Sequence, residues 1–320
     1  MISYILLIVG FALLIKGADY FVEGSSNIAA LLKIPPIIIG LTIVSFGTSS
    51  PEASVSIMAA IDGNAGVTLG NVIGSNIFNI TFVIGVTAFL NPLKVESDTI
   101  RKEIPFTLLA SVALLVVVSD IALQFISKNT ITRGDGFILL LFFAIFMYYI
   151  FELARNSREK GMVSNVEASG SSSWLKNILF TVGGLAGIIF GGDLVVDSST
   201  KIAYSLGMSE TLVGLTIVAV GTSLPELITS VTAAYKKLSE IALGNIVGSN
   251  IFNILFVLGA SSVISPLPVD SKLFTDIIMM IVLTIVLFFF SRSHYKIGKI
   301  EGIIMAVAYI LYMVFIILRN

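Results

Sequence analysis

Long apolar stretches separated by short polar breaks dominate the chain from end to end. A helix that crosses the hydrocarbon core of a bilayer needs about 20 mostly apolar residues. Ten stretches meet that length: 3–24, 36–60, 66–90, 103–122, 135–154, 174–200, 210–234, 241–264, 273–291 and 297–318. The pattern predicts an all-α integral membrane protein with ten transmembrane helices. The first stretch lacks a basic segment ahead of it and runs into a repeated block, so it reads as a membrane helix and not as a cleaved signal. Most breaks are short. The longest runs from Ala154 to Ser173, carries Arg155, Arg158 and Lys160, and ends in Ala168-Ser-Gly-Ser-Ser-Ser173. Small polar residues of this kind make a flexible joint, which divides the chain into 1–153, a linker at 154–173, and 174–320.

Composition sharpens this picture. Hydrophobic residues make up 56% of the 320 and charged residues 12%, against roughly 25% charged in soluble proteins; the mean hydropathy is +1.00. Lipid tails accept such a surface, since they are as apolar as leucine. The net charge of −1 gives no reason to expect nucleic acid as a partner. With no cysteine, thiol catalysis, disulfides and thiolate metal sites are excluded. His294, the single histidine, lies in the polar run Ser291-Arg-Ser-His-Tyr-Lys296 and reads as a solvated loop residue.

Ten crossings place both termini on one side, and basic residues decide which. The breaks after the first, third, fifth, seventh and ninth stretches hold 13 Lys and Arg, and the opposite side holds five. The first set is therefore expected in the cytoplasm, with the 154–173 linker, and both termini outside the cell membrane.

The sequence also repeats itself at an offset of 174 residues. From pair 17/191 to pair 96/270 there are 36 identities in 80 positions without a gap. Gly40-Leu-Thr-Ile-Val44 returns as Gly214-Leu-Thr-Ile-Val218, and Gly47-Thr-Ser-Ser-Pro-Glu52 as Gly221-Thr-Ser-Leu-Pro-Glu226. Gly70-Asn-Val-Ile-Gly-Ser-Asn-Ile-Phe-Asn79 returns as Gly244-Asn-Ile-Val-Gly-Ser-Asn-Ile-Phe-Asn253. Each half holds five stretches, an odd number, so the second half enters the membrane in the opposite sense. Inverted repeats of this kind are a transporter architecture with the site near the midplane at the repeat interface.

The repeated blocks carry the chemistry. Pro51 and Pro225 remove a helical hydrogen bond inside apolar stretches, and carbonyls freed at bilayer depth must face protein, water or an ion. Broken helices are expected in stretches 2, 3, 7 and 8. Glu52 and Glu226 each lie one residue past a proline. An ionised carboxylate at that depth costs about 2.5–3.5 kcal/mol on insertion scales, and no Lys or Arg lies within these stretches away from their ends to offset it. A bound cation or a proton must do so, and two facing carboxylates make protons compete with metal. Thr48, Ser49, Ser75, Asn79 and their mates Thr222, Ser223, Ser249, Asn253 add hard neutral oxygens. Ser75 and Asn79 stand four apart on one helix face, as do Ser249 and Asn253. Hard oxygens with carboxylates suit Ca²⁺ or Na⁺, whereas copper and zinc favour sulfur or imidazole. Any one of these polar residues alone would more often bond a neighbouring helix or end a helix; the same set twice in register points to a cation site. Asp19, Glu23, Asp193 and Asp197 also repeat, as solvated helix-end charges or a cation-attracting vestibule. Gly40, Gly70, Gly214 and Gly244 read as helix-packing positions.

At these blocks the sequence resembles the calcium/cation antiporter superfamily, the prokaryotic sodium/calcium exchangers in particular, with its paired alpha repeats falling at 40–92 and 214–266. The resemblance covers essentially the whole chain. It implies a non-enzymatic antiporter without a resident cofactor that exchanges Na⁺ for Ca²⁺ by alternating access. Glu52 and Glu226 would be shared ligands of a central Ca²⁺ site and flanking Na⁺ sites. Thr48, Ser49, Thr222 and Ser223 would add oxygens, with the backbone carbonyls of Ser45 and Ala219. Ser75 and Ser249 would line outer sodium sites, Asn79 and Asn253 would sit beside the centre, and stretches 1 and 6 would slide as the gate. The linker is too short for the regulatory calcium-binding domains of animal exchangers. Potassium-dependent relatives carry Asp at the position of Asn253. Proton/calcium members carry an extra Glu where this chain has Gly74 and Gly248, which favours sodium coupling over an H⁺/Ca²⁺ antiporter of the same fold. A channel is a further alternative. An intramembrane serine hydrolase lacks a base near its serines. Nothing fixes the oligomeric state, and a monomer is compatible with the sequence.

Overall fold

A computed structural model describes residues 2–125, 127–159, 173–207 and 219–319. Their secondary structure is helical apart from four two-residue strands. The helices are α1 (Ile2–Leu32), α2 (Pro36–Thr48), α3 (Ser50–Ile61), α4 (Ala65–Leu90), α5 (Ile104–Val117), α6 (Asp120–Gln124), α7 (Arg133–Glu159), α8 (Trp174–Ser205), α9 (Ala219–Gly221), α10 (Leu224–Tyr235), α11 (Ser239–Ile264), α12 (Lys272–Arg292) and α13 (Lys299–Arg319).

Seven of these are long and apolar enough to cross a membrane: α1, α4, α7 (over Arg133–Ser157), α8, α11, α12 and α13. The other three expected crossings are not among these seven, for separate reasons. The 36–60 stretch is divided at Ser49 into α2 and α3. In the 103–122 stretch the helix stops at Val117. Of the 210–234 stretch, residues 210–218 lie outside the described residues, as does Gly214-Leu-Thr-Ile-Val218.

Two expectations need correction. The segment read as a linker from 154 begins as helix, because α7 runs on to Glu159; an i,i+4 ion pair between Arg155 and Glu159 (3.0 Å) supports that last turn. Residues 160–172 lie outside the described residues. Helices α4 and α11 are not interrupted. Each stays helical through a wider π turn, at Asn79–Val83 and at Phe252–Val257. Such turns redirect carbonyls without ending the helix, and they are frequent at functional sites. The turns fall at equivalent places in the two halves and include Asn79 and Asn253. A third π turn, Gly40–Val44, lies within α2.

The core is built around α4 and α11, whose apolar windows are 78% and 94% buried, against 17–33% for the other five long helices. Those outer helices turn residues such as Ile8, Leu141, Leu179, Phe289 and Leu311 outward, as a lipid-facing surface does. Glycines set the closest approaches. A Cβ at Gly40 would sit 2.9 Å from Gly244 Cα, and one at Gly248 would sit 2.8 Å from Leu41 Cα, so α2 and α11 run parallel in backbone contact. The packing role read for Gly40 and Gly244 is thus met; Gly70 has no described atom within 4 Å of its Cβ position, and Gly214 is not described. Helices α1 and α8 run antiparallel, with Gly17 against Gly184 and Ile188, and Gly24 against Thr181.

Two small antiparallel ladders join the halves. Leu93–Lys94 (β1) pairs with Lys296–Ile297 (β4), and Thr130–Ile131 (β2) with Leu267–Pro268 (β3). Each ties the first half of the chain to the second. His294 is exposed in the turn before β4, as its polar surroundings predict.

Candidate cation site

The two Gly-Thr-Ser-x-Pro-Glu blocks form the same local structure. Ser49 (φ −83°, ψ 7°) leaves helical geometry and α3 restarts directly after it, with Pro51 in the first turn. Ser223 (φ −94°, ψ 7°) does the same ahead of α10 and Pro225. Proline is well placed in a first turn, where its missing N–H has no helical partner to lose. Glu52 and Glu226 therefore also sit in a helix's first turn, at the positive end of the helix dipole, which favours a carboxylate.

Both glutamates are fully buried. Each is held by the other half of the chain. Ser49 donates to Glu226 Oε1 (2.8 Å) and Ser223 donates to Glu52 Oε1 (3.0 Å). The second oxygens, Glu52 Oε2 and Glu226 Oε2, have no hydrogen-bond partner among the described residues. Asn79 and Asn253 are also fully buried. Their carbonyl oxygens are likewise without a donor.

The backbone of each glutamate is fixed by an asparagine to which the sequence pattern assigned no role. Asn71 Nδ2 donates to Glu52 O (3.2 Å) and to Ser56 Oγ (2.9 Å). Asn245 Nδ2 donates to Glu226 O (3.3 Å) and to Ser230 Oγ (2.9 Å). Asn71/Asn245 and Ser56/Ser230 are pairs at the 174-residue offset. That in-register identity was the available signal. Two more asparagines, Asn76 and Asn250, link the halves. Asn79 Nδ2 donates to Asn250 Oδ1 (3.2 Å), Asn253 Nδ2 to Asn76 Oδ1 (3.3 Å), and Asn76 Nδ2 to Asn250 O (3.2 Å).

The remaining residues expected in the site divide into two groups. Ser45 O is engaged: it accepts from Ser49 N (2.9 Å), Thr48 Oγ1 (3.3 Å) and Ser249 Oγ (3.5 Å). Thr48 Oγ1 also donates to Asn245 Oδ1 (2.9 Å). In the other half Ser223 N donates to Val220 O (3.2 Å), so the bond its mate gives Ser45 is not repeated at Ala219. Thr222 Oγ1 is buried without a partner among the described residues, and Thr222 and Ser75 line a common cavity of about 560 Å³ with Asn71 and Gly74.

A second cavity, of about 600 Å³, is lined by Ser54, Asp193, Asp197, Thr200 and Thr222. Asp193 and Asp197 share this lining with Pro51 and Pro225, the residues that precede the glutamates. Asp197 is paired with Lys201 (2.6 Å) and Asp19 with Lys236 (2.5 Å), so part of this acidic set is neutralised. Among the described residues no three acidic or imidazole side chains cluster. The charge of the central site comes from the glutamate pair.

Four buried acceptor oxygens without donors, two of them on carboxylates, are costly as they stand. They suit a hard cation that takes oxygen ligands.

The sequence pattern of the family described as "Sodium/calcium exchanger protein" matches residues 2–152 and 176–318. The chain is 38% identical over 320 residues to a putative antiporter, CaxA, of Alkalimonas amylolytica, covering 98% of each. It is 32% identical over 342 residues to the sodium/calcium exchanger MaX1 of Methanosarcina acetivorans, again covering 98% of each. Among solved structures, the sodium-calcium exchanger NCX_Mj soaked with 2.5 mM Na⁺ and 0.1 mM Ca²⁺ superposes with a TM-score of 0.82 at 31% identity, over 98% of both chains. The chain is a multi-pass membrane protein that belongs to the sodium/calcium exchanger family.

Proposed function

We propose that this chain exchanges Na⁺ for Ca²⁺ across the cell membrane by alternating access, with Glu52 and Glu226 as the shared carboxylates of one central site. The observation that carries the reading is the crossed pair of serine–glutamate bonds. It brings both carboxylates together from opposite halves and leaves Oε2 of each without a donor, and the buried carbonyl oxygens of Asn79 and Asn253 are likewise without donors. Two negative charges balance one Ca²⁺ or admit two or three Na⁺. Four such oxygens, with hydroxyls or water, reach the six to eight that Ca²⁺ takes. Thr48, Ser49, Thr222, Ser223, Ser75 and Ser249 supply those hydroxyls in this reading, and the Ser45 and Ala219 carbonyls complete it.

The scaffold we infer is ten crossings in two inverted five-helix halves, 1–153 and 174–320, with both termini outside. Several features support it. The parallel course of α2 and α11, and the antiparallel course of α1 and α8, are what strict alternation of ten crossings requires. The two ladders join breaks that the same alternation puts on one side each.

The test is a flux assay. Proteoliposomes loaded with Na⁺ and diluted into Na⁺-free medium should take up ⁴⁵Ca²⁺, and Glu52→Gln or Glu226→Gln should reduce uptake to the protein-free level. Uptake that survives both substitutions would overturn the site. Uptake driven by a pH gradient without Na⁺ would replace Na⁺ by H⁺ as the coupling ion, a reading that the buried carboxylates also accommodate.

A further inference from the structure

We infer that Asn76 and Asn250 are positioning residues, each fixing which way the amide of an asparagine in the opposite half faces the cation. The inference rests on the exchanger reading above. It goes beyond it by assigning work to two residues outside the proposed ligand set.

A primary amide has one acceptor end and one donor end. If it is free to turn about its last bond, it can offer a cation either the carbonyl oxygen or the NH₂ group. The first binds the ion and the second repels it. Asn79 and Asn253 are fully buried, and their oxygens have no donor among the described residues. What sets their orientation is on the other side of each amide. Asn79 Nδ2 donates to Asn250 Oδ1 (3.2 Å) and Asn253 Nδ2 donates to Asn76 Oδ1 (3.3 Å). With the NH₂ group tied there, the carbonyl oxygen must face the opposite way.

The holding residues are themselves fixed and buried. Asn76 Nδ2 donates to the backbone oxygen of Asn250 (3.2 Å), which orients the Asn76 carbonyl toward Asn253. The bond that would mirror this one, from Asn250 Nδ2, is not formed, and that group has no partner among the described residues. The two halves are therefore clamped unequally at this point. The pattern is crossed, because α4 orients the amide of α11 and α11 orients the amide of α4. Either half alone would leave its own amide free to turn.

The experiment uses the full-length protein in proteoliposomes and reads the Ca²⁺ concentration for half-maximal uptake separately from the maximal rate. Asn250→Ala and Asn76→Ala should raise the half-maximal Ca²⁺ concentration by about 10- to 100-fold, the usual effect of losing a partner that orients a metal ligand. The distinguishing readout is a double-mutant cycle. Asn250→Ala combined with Asn79→Ala should lose no more affinity than Asn79→Ala alone, because Asn250 acts through that amide; Asn76 with Asn253 should behave the same way. Asn250→Asp keeps an acceptor opposite Asn79 Nδ2 and should not lose affinity, which also covers the case in which the alanine variant does not fold. Additive losses in the cycles, or an Asn250→Asp as impaired as Asn250→Ala, would overturn the positioning role alone. A wild-type protein without any Ca²⁺ uptake would overturn the exchanger reading and this inference with it.

Discussion

At the scale of single residues, hydroxyls do two jobs around the glutamates. Ser49 and Ser223 each bond a carboxylate from the opposite half, so they join the halves as well as holding the acid. A hydrogen bond to a charged group contributes about 1.5–3 kcal/mol. Ser49→Ala and Ser223→Ala should each lower stability by about that amount when measured by thermal unfolding without added Ca²⁺. The two losses should be similar, since the positions are mates. Saturating Ca²⁺ should enlarge both losses, because a ligand that binds only the folded protein adds stability according to its affinity, and each alanine variant lacks a ligand hydroxyl. Losses that ignore Ca²⁺ would separate these serines from the cation site.

At the scale of elements, the tightest interface is the antiparallel pair α1 and α8. A Cβ at Gly184 would collide with the backbone nitrogen of Phe21, and one at Gly17 would sit 2.7 Å from that of Ile188. Backbone cannot retreat as a flexible side chain can. Overpacking of this kind costs about 1–3 kcal/mol or more. Gly183, one residue away, has no described atom within 4 Å of its Cβ position. Gly184→Ala should therefore destabilise the protein, while Gly183→Ala should be neutral or stabilise it by up to about 1 kcal/mol through helix propensity. Thermal unfolding of the two variants checks the contrast. The close fit packs α1 and α8 into one body.

On the scale of the whole molecule, the internal repeat makes its own asymmetries visible. Lys236 at the end of α10 reaches α1, pairing with the Asp19 carboxylate (2.5 Å) and donating to its backbone oxygen (2.8 Å). At the 174-residue offset the corresponding positions are Asp62 and Asp193, both acidic. The tie between the α1–α8 body and the core is thus available at one end and chemically excluded at its mirror position. Lys236→Gln should free the tied end and shift the body away from the arrangement seen here. The chain contains no cysteine, so a single Ser54→Cys in the cavity beside α8 can report the shift. Its labelling by a membrane-impermeant thiol reagent should slow in the Lys236→Gln background. An Asp19→Lys, Lys236→Asp exchange should restore the wild-type rate. A rate unchanged by Lys236→Gln would remove the pair from the conformational balance.

Much of this architecture is legible in the amino-acid sequence alone. Apolar length is dictated by the bilayer, so the helical stretches can be read directly. Repetition at a fixed offset isolates Glu52, Glu226 and their polar neighbours, because unselected apolar helices do not share Pro, Glu and Asn in one register. The sequence by itself determined which residues recur and what kind of ion their oxygens suit. It did not say which end of each amide is left without a partner, or that Ser45 O is already engaged. Nor did it show that the α4 and α11 polar segments are π turns instead of breaks. Those outcomes depend on partners more than 170 residues away in several cases, as with Asn79 and Asn250, Asn253 and Asn76, and Ser49 and Glu226. A local pattern fixes a helix through hydrogen bonds four residues apart. The direction in which a buried donor or acceptor points is fixed only when the other half of the chain supplies its partner, and that was decided by the tertiary structure.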